Sequence, residues 1–456
     1  MASIFDRPIS RRELLRTSAV FGAATFAVTT LDACTGGSGN GGGEGGGAGG
    51  GSDRIVIGSF QDNALAPLRD TFFKRFEDET GIKVQYNETN YDSWYQNAKN
   101  DGLQQTGAYD IYLMDDNWVP EFAAAGILVD LEEAGLKLNP DLQENGLNQG
   151  YWPPRTGPKM ADFANDEPRP YAVPIDNDVQ ILYFNSDHFS DAPATWDDVY
   201  AAMKELAGPN LYGWSIRGVK GNPIVQTYLP FLNSYGAAFV NDDWTPGFAG
   251  PEGVGALERI FSFIPYMPQG IVEFDTDQET QVLLQGKSLA LTEYTGLTQT
   301  IDDPETSKVV GKINCAATPA QERNGAAIGI FNAGIPPSAP NPDGAVRFLD
   351  WFTSDEVQLD FAKTGSAAVT RVALTDPSAV AEARWLPAIA DAVDNATPKP
   401  RTPDEPKFED ILGTHLNLAL VEAIDAGSNF TGIAQKHLKA AADEMTAYMQ
   451  DQGAYS

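Results

Sequence analysis

The sequence predicts an α/β protein with two lobes, on the evidence of its length and its order of strands and helices. With 456 residues, the chain is too long for one compact core, so two lobes are the default expectation. From residue 54 onwards, short apolar segments alternate with polar loops and amphipathic helices. This strand–loop–helix order favours parallel pairing of the first strands, because parallel neighbours need a crossover connection.

The first three predicted strands each end in a polar loop. They cover residues 54–58, 82–86 and 109–114. The third strand shows the pattern most clearly, because Asp115, Asp116, Asn117 and Trp118 follow its apolar run directly. Ligands bind at the carboxyl ends of strands in open α/β sheets, so this loop is the first candidate for a binding site.

The rest of the chain predicts further strands in its middle and helices at its end. The further strands are predicted over 171–174, 180–185, 212–216, 289–292 and 327–331. Helices with one apolar face are predicted over 65–79, 94–103, 196–206, 224–235, 253–264, 279–285, 343–352 and 353–364. The tail is predicted to be all helical, over 384–395, 406–426 and 430–450.

The composition excludes several classes of partner. The chain has 63 Asp and Glu against 31 Lys and Arg, a formal net charge of −32. This charge argues against nucleic acid and against an anionic membrane face, whereas it would attract a cationic ligand. Two cysteines, Cys34 and Cys315, and three histidines occur without a spacing typical of metal ligands. We therefore expect no disulfide framework, no metal site and no cofactor.

The amino-terminal segment predicts export and tethering rather than a folded domain. Arg11 and Arg12 stand in a twin-arginine motif ahead of a mildly apolar stretch. Residues 31–34 look like a lipobox with Cys34 as the lipidated residue, although Asp32 departs from the usual small residue. The predicted sections are a signal over 1–34 and a flexible Gly-rich linker over 35–52. We expect a protein held by lipid at the outer face of the cytoplasmic membrane, or free in the periplasm.

Five segments stand in an order that resembles one known family. They are FEDETGIKVQY, YDIYLMDDNWVPEFAAAGILVDL, YAVPIDNDVQILYFNSDHF, GKSLALTEYTG, and IPPSAPNPDGAVRFLDWFTSDEVQ followed by GSAAVTR. With them, the chain resembles extracellular solute-binding protein family 1, the carbohydrate receptors of ABC importers to which maltose-binding protein belongs. The resemblance implies a two-lobed periplasmic-binding-protein fold of the maltose-binding type (type II), with a hinge and a helical C-terminal tail. By analogy, lobe one comprises 53–167 and 320–368, and lobe two comprises 168–319 and 369–456.

The resemblance also implies how such a receptor works. The ligand would bind in the cleft between the lobes and favour the closed arrangement, which the permease subunits of the importer then recognise. A receptor of this kind needs no covalent chemistry. We expect a monomer whose partners are a small carbohydrate or polyol and the permease.

Candidate ligand-binding residues follow from the chemistry of sugars and polyols. These molecules present CH faces to aromatic rings and hydroxyls to planar hydrogen-bonding groups. From lobe one, the candidates are Gln61, Asp62, Tyr91, Asp115, Asp116, Trp118 and Asn332. From lobe two, they are Asn177, Asp178, Arg217, Glu293 and Tyr294, with Arg371 near the hinge.

Two other functions remain open beside a receptor for a mono- or oligosaccharide or a sugar alcohol. A receptor for a polyamine or another cationic solute would use the same fold, but Arg217 and Arg371 facing the cleft would argue against it. An exported carbohydrate-active enzyme would need two carboxylates at a fixed separation. The side chains of adjacent Asp115 and Asp116 diverge, and no GxSxG or P-loop motif occurs. We therefore expect no enzyme activity.

Overall fold

The computed structural model of the protein describes residues 53–455. The predicted signal over 1–34, its lipidation candidate Cys34 and the linker over 35–52 lie outside the described residues. In the described range, no helix combines the length and the apolar character that a membrane crossing requires.

The strands form two sheets and a short ribbon. They are β1 (Arg54–Phe60), β2 (Lys83–Thr89), β3 (Ile111–Asp115), β4 (Tyr151–Trp152), β5 (Arg169–Pro170), β6 (Val173–Asp176), β7 (Gln180–Asn185), β8 (Ala290–Tyr294), β9 (Ile313–Ala316) and β10 (Phe331–Gly334). The larger sheet has the order β2–β1–β3–β10–β6 and the smaller sheet the order β8–β7–β9, while β4 pairs with β5. β1 runs parallel to β2 and β3, whereas β10 runs antiparallel to β3 and β6. The parallel pairing predicted for the first three strands is confirmed.

The helices surround the sheets and form the C-terminal tail. They are α1 (Phe73–Thr80), α2 (Tyr91–Gln104), α3 (Val119–Ala124), α4 (Glu144–Asn148), α5 (Trp196–Leu206), α6 (Asn222–Ser234), α7 (Pro251–Phe263), α8 (Thr276–Leu284), α9 (Thr298–Ile301), α10 (Pro342–Phe352), α11 (Asp355–Lys363), α12 (Arg371–Thr375), α13 (Pro377–Glu382), α14 (Leu386–Asn395), α15 (Glu405–Ala426) and α16 (Phe430–Gln452). Ahead of α1, residues Leu68–Phe72 form a π-helical segment. Local sequence explains the start of α5, where Thr195 and Asp198 form a capping box.

β1 carries α2 directly on its surface. Ile55 and Ile57 are fully buried, as expected for a central strand with both faces covered. Gly58 lies under the indole of Trp94, and a Cβ at this glycine would come within 2.0 Å of the ring. The indole N–H of Trp94 donates to the carbonyl oxygen of Leu113 at 2.7 Å. These contacts fix α2 against the strands whose ends meet the cavity described below.

Two hydrophobic cores hold the described residues together. The first contains the side chains of the larger sheet, of α1, α2 and α10–α14, and one face of the smaller sheet through Ile181, Tyr183 and Leu291. The second contains the opposite face of the smaller sheet, through Leu182 and Phe184, and the helices α5–α7, α15 and α16. The smaller sheet therefore lies between the two cores. The predicted lobe boundaries at 167, 319 and 368 stay a prediction.

Three connections join the larger sheet to the rest of the fold. The chain runs from β6 to β7 through residues 177–179, from β9 to β10 through 317–330, and from α14 to α15 through 396–404. Single bridges pair Val179 with Ile328 and Ala327 with Thr397. The three connections thus lie side by side, which is the arrangement expected of the hinge in a two-lobed fold.

The sequence prediction missed β4, β5 and β9, and two of its predicted strands differ in the structure. The segment 212–216 is not a strand, because only Tyr212 makes a single bridge, to Ser288, while Trp214 and Ile216 are buried in the second core. The strand predicted over 327–331 begins later, at Phe331, because the residues before it belong to the connection from β9.

Candidate functional site

A cavity of about 1560 Å³ lies between the loops that end the larger sheet and the elements around the smaller sheet. Its first wall comprises lining residues between 60 and 118, from the ends of β1 and β3 and the start of α2. Its second wall comprises Asp178, lining residues between 217 and 306, Gly329, and 399–410. The volume exceeds the roughly 300–1,000 Å³ of drug-sized ligand pockets, so the cavity has room for a larger ligand.

Nine of the thirteen predicted ligand-binding residues line this cavity. Gln61, Asp62, Tyr91, Asp115 and Trp118 lie on the first wall. Asp178, Arg217, Glu293 and Tyr294 line the opposite side. The fold therefore brings the ends of well-separated strands to one place.

Tyr91 presents the most open aromatic ring of the first wall, with 38% of the residue exposed. Its hydroxyl donates to Oδ2 of Asp115 at 2.8 Å. Its ring meets Trp118 at a centroid distance of 4.8 Å, and Trp118 packs in turn on Phe60 at 5.8 Å. Trp118 is only 2% exposed, so it supports the ring of Tyr91 from behind rather than offering a free face.

Tyr294 provides the aromatic ring of the second wall. Its hydroxyl donates to Oε1 of Gln226 at 2.6 Å, and Nε2 of Gln226 donates to Oε1 of Glu409 at 2.8 Å. A Cβ at Gly329 would lie 2.7 Å from Cε1 of the Tyr294 ring. The hydrogen bonds therefore fix the phenol group, and the glycine leaves the space that the ring occupies.

Asp62 and Asp178 are linked through the loop that follows β8. Oδ1 of Asp178 accepts hydrogen bonds from the backbone N–H and the hydroxyl of Thr295, at 2.8 and 2.6 Å. The next residue, Gly296, touches Asp62, since a Cβ there would lie 3.2 Å from Oδ1 of Asp62. This same oxygen accepts from the backbone N–H of Ala64 at 2.8 Å. The two walls of the cavity are thus in contact at this loop.

Two carboxyl groups of the cavity, those of Asp62 and Asp178, have pKa values above the ordinary range. Asp62 is open to water inside the cavity, yet the surrounding protein raises its pKa to about 6, with the charges of Glu293 and Asp115 adding to the effect. Burial, and after it the charge of Asp62, raises the pKa of Asp178 well above its ordinary value. Burial is the largest cause of both shifts, and the negative charges of neighbouring carboxylates add to it.

A buried ionic cluster lies behind the first wall. Asp116 is fully buried, with one oxygen 3.5 Å from Nζ of Lys399 and the other 3.6 Å from Nη1 of Arg401. Nζ of Lys399 also lies 4.0 Å from Oε1 of Glu409. Burial opposes the charge of Lys399, but the neighbouring carboxylates, Asp116 foremost, raise its pKa well above the ordinary value. The cluster joins the connection over 396–404 to the loop after β3 and to α15.

Asp116 and Asn177, two of the predicted ligand-binding residues, lie behind the cavity wall. The side chain of Asp116 faces Lys399 and Arg401 instead. Asn177 is fully buried in the connection between β6 and β7, where its amide N–H groups donate to Oε1 of Gln143 at 2.9 Å and to the carbonyl oxygen of Ala368 at 3.0 Å. Both side chains are therefore committed to holding the chain connections together.

Asn332 and Arg371 also lie away from the cavity wall. Asn332 is fully buried inside β10, opposite Met114, because this strand begins later than predicted and the residue is no longer at its exit. Arg371 opens α12 and pairs at the surface with Asp391, at 2.9 Å, and with Asp394. Arg371 is therefore a surface pair partner.

Many lining residues were missed by the sequence prediction, among them Gln226, Lys399 and Glu409. Gln226 and Glu409 sit on long helices, where nothing in the sequence separates a cavity-facing residue from a solvent-facing one. The sequence around Lys399 does contain a recognisable pattern, because this cation stands between Pro398 and Pro400 in an acidic chain. Such a proline-flanked cation marks an extended connection rather than a helix.

The lining as a whole is polar and acidic. Its carboxylates are Asp62, Glu88, Asp92, Asp115, Asp178, Asp275, Asp277, Glu293, Glu409 and Asp410. Its cationic side chains are Arg69, Arg217 and Lys399. Within residues 53–455, no group of three or more His, Cys, Asp and Glu side chains could hold a metal ion. The carboxylates of the lining offer many hydrogen-bond acceptors to a ligand.

Comparison with protein families now places the chain. The sequence profile described as bacterial extracellular solute-binding protein matches residues 61–359, well over half of the length. The chain belongs to this family. The family predicted from the five sequence segments is confirmed, and both family and fold are those of extracellular or periplasmic binding proteins.

Similar proteins include one curated relative and two solved structures. A probable amino-acid ABC transporter periplasmic-binding protein of Sinorhizobium fredii is 22% identical over 329 residues, covering 70% of this chain and 73% of the relative. An ABC transporter solute-binding protein from Agrobacterium radiobacter K84, in complex with ribitol, has a TM-score of 0.72 at 23% identity and covers 87% of this chain and 98% of that one. Maltose-bound MalE3 of T. maritima has a TM-score of 0.73 at 19% identity, with 87% and 99% covered. The two-lobed, maltose-binding-like α/β fold predicted from the sequence is confirmed.

Proposed function

We propose that this chain is the substrate-binding component of an ABC importer that captures a mono- or oligosaccharide or a sugar alcohol. The observation that carries the proposal is the pairing of Tyr91 and Tyr294, one on each wall of the cavity, with carboxylate and amide groups beside both rings. A sugar ring packs its CH face on a phenol ring, and its hydroxyls donate to carboxylates. The ligand would then be delivered to the permease.

A ligand of this kind would favour closure of the two lobes. It would touch Tyr91 and Asp62 on the first wall and Tyr294 and Asp178 on the second, so it would gain contacts that one wall alone does not offer. A ligand shifts a conformational equilibrium only through such a difference in affinity. The hinge would be formed by the three adjacent connections, so the lobe boundaries would fall within 177–179, 317–330 and 396–404 rather than at 167 and 368.

The ligands of similar structures support this class. Ribitol and maltose, the ligands in the two structures compared above, are neutral and carry many hydroxyl groups. The curated relative is described as a probable amino-acid receptor, which gives the test below a competing class of ligand.

We propose that the cavity does no catalysis. Oδ2 of Asp115 accepts from Tyr91 and Oδ1 accepts from the backbone N–H of Asp116 at 2.7 Å. The side chain of Asp116 faces Lys399 behind the wall. Neither carboxylate of this pair is therefore free to act as the acid or the base of glycoside hydrolysis.

The mature protein would be a monomer tethered to the outer face of the cytoplasmic membrane through lipid on Cys34, with the linker over 35–52 as a spacer. A Cys34→Ser substitution is then expected to release the protein from the membrane fraction while leaving its ligand binding unchanged. Membrane retention of this variant would contradict the lipid tether.

A receptor for a cationic solute such as a polyamine is the second candidate. Ten carboxylates and three cations line the cavity, and Arg371 lies away from it. Arg217 lines the cavity, but it is paired with Glu293 at 3.6 Å. The acidic lining therefore keeps this class open as an alternative.

A thermal-shift screen of the purified chain tests the proposal. The panel contains neutral sugars, sugar alcohols, amino sugars, amino acids and polyamines. A ligand at 100 times its Kd adds about 2.7 kcal/mol to the free energy of unfolding, and we expect one polyhydroxylated class to raise the Tm. Tyr294→Ala should abolish that shift, whereas Tyr200→Ala, which alters a ring packed on Phe263 away from the cavity, should leave it intact. Stabilisation by amino acids or polyamines alone would refute the proposal.

A further inference from the structure

We infer that the ligand carries a protonated amine, so that the receptor takes an amino sugar or an oligosaccharide that contains one. This inference rests on the proposed sugar-binding function and specifies the charge of the ligand at the same cavity. The position that we assign to the ammonium group lies between Asp62 of the first wall and Asp178 of the second.

The cations of the cavity are already paired with carboxylates. Arg69 lies 2.7 Å from Asp70 and 3.5 Å from Glu88. Arg217 is within 3.6 Å of Glu293 and 3.4 Å of Asp275. Lys399 lies close to Asp116 and Glu409, as described above. Each of these three cations therefore already has a carboxylate partner other than Asp62 and Asp178.

In each of the two aspartates, one carboxylate oxygen accepts hydrogen bonds from the described part of the chain and the other does not. Oδ1 of Asp62 accepts from Ala64 and Oδ1 of Asp178 accepts from Thr295. No residue of the described range donates a hydrogen bond to Oδ2 of either side chain. Asp178 is 6% exposed and lines the cavity, so its free oxygen can accept only from a group that enters the cavity.

A third carboxyl group, that of Asp176, lies close to these two. Asp176, 1% exposed, lies two residues before Asp178, and neither of its oxygens has a hydrogen-bond partner. The charge of Asp178 and then that of Asp62 add to the burial that raises the pKa of Asp176 well above its ordinary value. This concentration of acid would favour a cation over a neutral hydroxyl at the same point.

An ammonium group fits this position chemically. It supplies the missing positive charge and three N–H donors, enough for the free oxygens of Asp62 and Asp178. The rest of the ligand would extend towards the phenol rings of Tyr91 and Tyr294, which favour both CH faces and nearby cations. A neutral hydroxyl at this point would donate only one hydrogen bond and would leave the negative charges unbalanced.

Isothermal titration calorimetry of the full chain tests the inference. The probes are glucosamine and its β-1,4-linked di- and trisaccharides, the N-acetylated forms of the same lengths, the neutral glucose oligomers and spermidine. We expect an amino form to bind at least about tenfold more tightly than its N-acetylated and neutral counterparts, which corresponds to about 1.4 kcal/mol. Equal or tighter binding of the neutral sugars would overturn the inference and leave the proposed function intact. Binding of spermidine alone would overturn both.

Two variants locate the amine site. Asp62→Asn and Asp178→Asn keep the oxygen that accepts from Ala64 or Thr295, remove the negative charge and replace the free oxygen with an amide NH2 group. Each is expected to reduce the preference for the amino form over the N-acetylated form to less than about threefold, corresponding to a loss of roughly 0.7 kcal/mol or more. Asp78→Asn, at an exposed position of α1, is the matched control and should keep the full preference. Because the readout is a ratio of affinities, partial unfolding of a variant does not alter it. An unchanged ratio in both cavity variants would overturn the assignment.

Discussion

Replacing Lys399 with methionine should destabilise the fold in a pH-dependent way. The Lys399 side chain is 3% exposed and its Nζ lies 3.5 Å from Asp116. Methionine retains most of the apolar stem but removes the charge. Asp116, which is fully buried, would then keep only Arg401, at 3.6 Å, as a cationic neighbour. Removing one partner of a buried ion pair costs about 3–5 kcal/mol, because the remaining charge is left without compensation. We expect a loss at the lower end of this range, about 3 kcal/mol at pH 8, since Arg401 stays in place.

The direction of the pH effect follows from Asp116. Burial, together with the charge of Asp115 and against that of Lys399, raises the pKa of Asp116 from 3.8 to about 7. A carboxyl group whose pKa is raised by folding stabilises the folded state at low pH, and this contribution is lost as the pH rises through that window. Without Lys399, the pKa of Asp116 rises further. Each additional pKa unit adds about 1.4 kcal/mol to the cost of keeping Asp116 charged at pH 8. At pH 5 the group is protonated in both proteins. Because pH 8 lies one unit above a pKa of about 7, the loss should shrink by at most about 1.4 kcal/mol, to roughly 1.6 kcal/mol.

Urea unfolding at pH 5 and pH 8 measures this difference. Lys439→Met is the matched control, because Lys439 is 74% exposed and pairs with Asp443 on the surface of α16. This substitution should cost less than about 0.5 kcal/mol at either pH. The double variant Lys399→Met with Asp116→Asn should recover about 2 kcal/mol at pH 8, because no charge is left unpaired. Equal losses for Lys399→Met at the two pH values would refute the reasoning.

Two further substitutions separate ligand binding from folding. Gly329→Ala would place a Cβ 2.7 Å from the ring of Tyr294, so the ring must shift. We expect calorimetry to show ligand binding at least about tenfold weaker, which corresponds to about 1.4 kcal/mol. A wild-type affinity would show that the position of this ring does not matter for binding. Asn177→Ala removes two buried hydrogen bonds, to Gln143 and Ala368, and should lower the free energy of unfolding by about 2 kcal/mol while the saturated affinity stays within about twofold of wild type, or about 0.4 kcal/mol. A large loss of affinity with unchanged stability would contradict the structural role of Asn177.

The sequence predicted best where strand ends carry polar residues. The exits of β1 and β3 follow from the apolar runs before Gln61 and Asp115, and both residues line the cavity. The same rule gave a wrong prediction for Asn332. Its strand was predicted to begin four residues too early, so a residue inside the strand was taken for one at its end. A shift of this size changes which residues face a cavity.

Contacts between distant segments could not be predicted. Asp115 and Asp116 are adjacent and chemically identical, yet the first lines the cavity and the second faces Lys399, a partner 283 residues later in the chain. Only the path of the connection over 396–404 decides between them. Gln226 likewise gains its role from Tyr294 and Glu409, which lie on other elements. Spacing along the chain carries no information about such pairs.

The most direct test of the account is a crystal structure of the protein with the compound that stabilises it most in the thermal-shift screen. We expect a polyhydroxylated ligand between the rings of Tyr91 and Tyr294, with a hydrogen bond to Asp62 or Asp178 and with the two walls closer together than in the unliganded protein. A ligand bound outside this cavity, or one that contacts neither aromatic ring, would contradict the account.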